Sequence, residues 1–111
     1  MAVRTRALAA FAVAAAAVVL AGPAQADRDI DFAEKLHAFG IYGQRDYNAW
    51  LGKITCKRLF SGVDGDAYAA AEFVSRNLAR EASQTQAFQF LGAAIEAYCP
   101  EQVGVLQAAA R

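Results

Sequence analysis

From Asp31 onward apolar residues recur three and four positions apart, and no stretch alternates with period two over a useful length. The pattern therefore predicts helices rather than strands. Asp31-Phe32-Ala33-Glu34 has the form of a capping box opening a first helix. Phe32, Leu36 and Phe39 share one face of it, and its end falls at Gly40, which can adopt the left-handed conformation that closes helices. Asp46 is the expected cap of a second helix reaching about Phe60. Its apolar residues form two stripes: Tyr47, Trp50, Leu51 and Ile54 on one side, and Ala49, Gly52, Cys56, Leu59 and Phe60 on the other. A helix apolar on two sides is expected at the centre of its bundle.

Ser61 to Gly65 reads as a turn, and Asp64 or Asp66 as the cap of a third helix with Ala67, Ala70, Ala71, Val74 and Leu78 on one face. Arg76 and Arg80 lie one turn apart on its polar side and read as a solvated face. Ser83-Gln84-Thr85-Gln86 is a second capping box. It opens a fourth helix with Phe88, Leu91, Ile95 and Tyr98 inward, which Pro100 stops for want of an amide hydrogen. Residues 101–111 hold only Val103, Val105 and Leu106 as anchors and read as a flexible or partly helical tail. The expected fold is an all-α, small four-helix bundle.

The first quarter of the chain has a different composition. Arg4 and Arg6 precede an uncharged apolar run from Ala7 to Ala21, and Ala24-Gln25-Ala26 sets two small residues before the charged Asp27-Arg28-Asp29. This is the layout of a secretory signal peptide cleaved after Ala26. The run is shorter than the roughly 20 residues a spanning helix needs. Arg4 and Arg6 are separated by Thr5, so the general secretory route is expected rather than the twin-arginine one. The domain boundaries are then 1–26, signal; 27–100, helical domain; 101–111, tail. Loss of Arg4 and Arg6 leaves nine basic against eleven acidic residues, a net charge of −2. With no basic stripe, a nucleic-acid partner is not expected, nor is electrostatic attachment to an anionic membrane.

Both cysteines, Cys56 and Cys99, fall in the exported part, and in an oxidising compartment their default state is a disulfide joining helices two and four. Gly52, one turn before Cys56, would let a neighbouring backbone approach as that link requires. A metal site would need more ligands, and His37 is the single histidine.

The ordered set Asp31-Phe32, Leu36 and Gly40-Ile41, then Gly52, Cys56, Leu59 and Gly62, then Ala87, Phe90, Ala94 and Tyr98-Cys99-Pro100 resembles small secreted mycobacterial proteins of the domain of unknown function family 732. The resemblance covers almost the whole mature domain. It implies a helical, disulfide-linked fold exported to the cell envelope or medium, and no activity.

For catalysis the chain is poor: a serine or cysteine nucleophile needs a base, and there is one histidine. The neighbouring carboxylates Asp29 with Asp31 and Asp64 with Asp66 are explained by capping and solvation. No catalytic residue and no metal site is expected. His37, Tyr42, Tyr47 and Trp50 straddle the exit of helix one and the entry of helix two, where a pocket for haem or a lipid would have an axial ligand and aromatic walls. Against this stands the reading of Tyr47 and Trp50 as core residues with wet polar tips. The expected function is a secreted, non-enzymatic interaction protein whose partner is a protein or an envelope component. The alternative is a small carrier of an apolar ligand.

Overall fold

The computed structural model describes residues 24–110; the apolar run Ala7 to Ala21 lies outside the described residues. The first helix, α1, runs through residues 24–38. The capping box expected at Asp31 is thus not formed, because a cap residue needs non-helical backbone and the preceding residues are helical. The other end is as expected. Gly40 has φ +79°, and the Ile41 amide reaches the Leu36 carbonyl at 2.9 Å while the Gly40 amide reaches that of His37. This is the double bond of a Schellman closure, with Ile41 folding back onto the same core as Leu36.

The second helix, α2, spans Arg45–Ser61 and begins at Gln44 without a side-chain cap. Asp46 lies inside its first turn, where a carboxylate still favours the positive end of the helix dipole. Gly62, at φ +79°, closes it. The third helix, α3, spans Ala67–Asn77; the Asp66 side chain caps it by accepting from the Ala69 amide. The fourth, α4, spans Gln84–Tyr98 behind the complete Ser83–Gln86 capping box. After Cys99 the chain makes a single 3-10 turn, Pro100–Gln102, and a short helix α5, Val103–Ala109. Val105, Leu106 and Ala109 of α5 pack against the core.

All the regular structure of the described residues is helical. The central helix is α4 rather than α2. It buries Ala87, Phe90, Leu91, Ala93, Ala94 and Ile95 and packs on α2, α3 and α5. Phe90 meets Phe32 of α1 edge to face, ring centres 5.3 Å apart. Its small alanines let neighbours approach on both sides of the Phe90–Leu91 ridge. One core cluster joins Phe32, Leu36, Leu51, Val74 and Phe90. The second joins Cys56, Leu59, Ala67, Ala70, Leu91, Ile95 and Cys99.

The expected disulfide is present: Cys56 of α2 is bonded to Cys99 just past α4, with Cα atoms 5.9 Å apart. Gly52 serves a different purpose from the one expected. A Cβ there would lie 3.0 Å from the Tyr98 ring and 3.1 Å from the Phe32 ring, so the missing side chain admits two aromatic rings rather than a backbone.

Candidate functional site

The buried side of α2 carries Asn48, Ala49, Leu51, Gly52, Thr55, Cys56 and Leu59. Two of these are polar, and Thr55 is accommodated because its hydroxyl donates to the Leu51 carbonyl one turn back, at 2.8 Å. Once Asn48 and Thr55 face inward, the helix period directs Trp50 outward: it is 51% exposed, with Tyr47 beside it at 43%. The reading of Tyr47 and Trp50 as core residues is corrected accordingly. Their rings are 5.8 Å apart, and the Tyr47 hydroxyl donates to the Asn77 carbonyl at the end of α3, which fixes that ring on the surface. Trp50, Ile54 and Lys57 continue along the same outward line, and Phe60, to one side of it near the end of the helix, is 81% exposed.

His37 and Tyr42 form a separate pair with rings 5.2 Å apart; both are exposed. The four aromatic candidates thus make two surface pairs. Tyr42 lines a depression of about 480 Å³ with Gly40, Ile41, Gly43, Leu78 and Gln86, between the α1–α2 and α3–α4 loops, and His37, Tyr47 and Trp50 are not among its walls.

Two polar arrangements escaped sequence reasoning. Tyr98 donates to Asp29 at 2.6 Å, Lys53 contacts the same carboxylate at 3.3 Å, and the ammonium lies 5.4 Å from the Tyr98 ring centre. Burial first, and then the bond to Asp29, pushes the Tyr98 hydroxyl pKa well above its ordinary value. Each group here has its partner within the chain, so the cluster clasps α1, α2 and α4 together rather than offering a reactive centre.

Asp64, read as a cap or a solvated carboxylate, is buried and accepts both arms of Arg58, at 2.8 and 3.1 Å. The Arg58 guanidinium also stacks 4.0 Å from the Phe73 ring centre. Its pKa is raised, chiefly by the hydrogen bond to Asp64. The pair binds the α2–α3 turn to both helices. Asp29 carries no local signal, because its partners Tyr98 and Lys53 are set by tertiary packing, whereas Asp64 meets Arg58 six residues back, across the turn that closes α2.

Among the described residues no three His, Cys, Asp or Glu side chains cluster as a metal site would require, and no helix is long and apolar enough to cross a membrane.

Residues 26–101 match the family described as "Protein of unknown function (DUF732)". The chain is also similar to two curated proteins of Mycobacterium tuberculosis. These are "Uncharacterized protein Rv0559c" from strain ATCC 25618 / H37Rv and "Uncharacterized protein MT0585" from strain CDC 1551 / Oshkosh. Each is 66% identical over 95 residues, covering 85% of both chains. No solved structure matches. The matched region holds α1 from residue 26 onward, α2 to α4 and both bonded cysteines, and on that match the chain belongs to the DUF732 family of proteins of unknown function.

Proposed function

We propose that the protein is exported by the general secretory route and acts in the envelope or medium as a non-enzymatic binding module, presenting the outward face of α2 to a macromolecular partner. The observation that carries this reading is the placement of Trp50. An exposed aromatic flanked by Tyr47 and Ile54 gives anchors at i, i+3 and i+7, the spacing by which a helix enters an apolar groove. Tryptophan and tyrosine are also the residues that most often dominate binding energy. Export is supported by the apolar run Ala7 to Ala21 with Ala24-Gln25-Ala26 after it and by the disulfide, which oxidising compartments favour.

Two measurements test it. Intact mass of the protein recovered from culture should correspond to a chain beginning at Asp27 with both cysteines oxidised; a chain retaining residues 1–26 would contradict the export reading. Trp50 is the single tryptophan, so its fluorescence reports this face alone. Docking should shift its emission to the blue and protect it from acrylamide. Binding to envelope material that leaves Trp50 fully quenchable would contradict the assignment of the surface.

A further inference from the structure

We infer that the outward ridge of α2 pairs two copies of this chain, antiparallel, about a two-fold axis level with residue 52. This names the partner of the docking face described above and rests on that reading. Trp50, Ile54, Lys57 and Ser61 are spaced by four, three and four residues, and so align on the side of α2 opposite the buried Asn48, Thr55 and Leu59.

The ridge is a mirror of itself in chemical character. Trp50 and Ile54 stand two residues either side of position 52; Asp46 stands six before it and Lys57 five after. Turned end for end, a second copy sets Trp50 against Ile54 and Asp46 against Lys57, each contact occurring twice, as an isologous interface requires. The one-residue offset in the charged pair is about 1.5 Å of helix rise, within the reach of a lysine.

Asp46, eleven residues before Lys57, falls on nearly the same side of the helix as that lysine. The operation that stacks the apolar centre therefore also brings the opposite charges together. Asp46 is 91% exposed and held only loosely, 3.7 Å from Arg45. Lys57 is exposed and enters none of the ion pairs among the described residues. A parallel pairing would set Asp46 on Asp46 and Lys57 on Lys57, so charge selects the antiparallel one. A groove in an unrelated protein would require no such symmetry.

One helix face per protomer lies at the small end of specific interfaces, so the dimer should dissociate on dilution through concentrations on the order of 10 μM. Sedimentation velocity of the oxidised protein purified from its host, from about 1 μM to about 1 mM, should show monomer passing to dimer. Asp46→Lys and Lys57→Asp should each weaken association roughly tenfold, since two pairs per dimer turn repulsive. The double variant should restore it, and Trp50→Glu should abolish it, with helical circular dichroism unchanged in all four. A monomer at every concentration overturns the inference, as does a dimer indifferent to these changes. If a monomer still shows the Trp50 blue shift with another partner, self-pairing is refuted and the docking reading stands.

Discussion

Tyr98 and Asp29 are 69 residues apart in the chain, yet the phenol of α4 donates to the carboxylate of α1 at 2.6 Å. The bond closes the bundle at the end where Phe32 packs edge to face on Tyr98, ring centres 5.2 Å apart. A donor to an ionised, partly buried carboxylate is stronger than a neutral hydrogen bond. Tyr98→Phe keeps the ring and loses only the hydroxyl. It should cost about 1–2 kcal/mol, lowering Tm by roughly 4–8 °C per kcal/mol in a domain of this size.

Burial of the Tyr98 hydroxyl, and after it the same bond, sets a dependence on alkaline pH. The folded state holds the Tyr98 proton more tightly than the unfolded chain, whose value is 10.0. The folded chain therefore binds more protons above that pH, and stability must fall as pH rises. The contribution is fully present below about pH 10 and is lost above it. Thermal melts of the two proteins from pH 8 to 11 should converge, with wild type losing its advantage over Tyr98→Phe only at the alkaline end. A constant difference across the range would contradict this.

Gly52→Ala should destabilise the protein although alanine is the better helix former. The propensity gain is about 0.5–1 kcal/mol. Against it stand a Cβ 3.0 Å from the Tyr98 ring and 3.1 Å from that of Phe32. Phe32 is wedged in the core at 2% exposure, and Tyr98 is held by Asp29, so neither ring is free to retreat. Overpacking of this kind costs about 1–3 kcal/mol. A raised Tm would show that the rings can move.

Removing the Cys56–Cys99 link releases a loop of 43 residues in the unfolded chain, worth about 4 kcal/mol in the chain-entropy model. Cys56→Ser should lower Tm by tens of degrees, given the same scaling for a small domain. Hydrogen exchange should show the loss of protection first in α5, since Val105 and Leu106 pack on the cluster containing both cysteines. An unchanged melt would mean that the helices hold without the staple.

Much of this fold was legible in the sequence where the cause is local. Gly40, Gly62 and the Ser83–Gln86 box act within a turn of themselves, and the oxidised pair followed from cysteine number and the expected compartment. The capping box at Asp31 failed because a four-residue pattern does not reveal whether the residues before it are already helical. The face of α2 was misread because periodicity shows two apolar stripes without saying which meets the neighbouring helices. Thr55 satisfies its own hydroxyl and can be buried, so burial went to a side poorer in aromatics and Trp50 was left to solvent. Asp64 was misread for a related reason: its partner Arg58 reaches it only once α2 and the following turn are folded.

The placement of Trp50 on the surface is the claim on which the docking face depends, and the thermal melt of Trp50→Ala beside wild type tests it most directly. An outward tryptophan contributes little to the fold, and the two melts should agree to within about 0.5 kcal/mol. A loss of about 3–5 kcal/mol, the cost of deleting a buried tryptophan, would place the ring in the core and contradict the account.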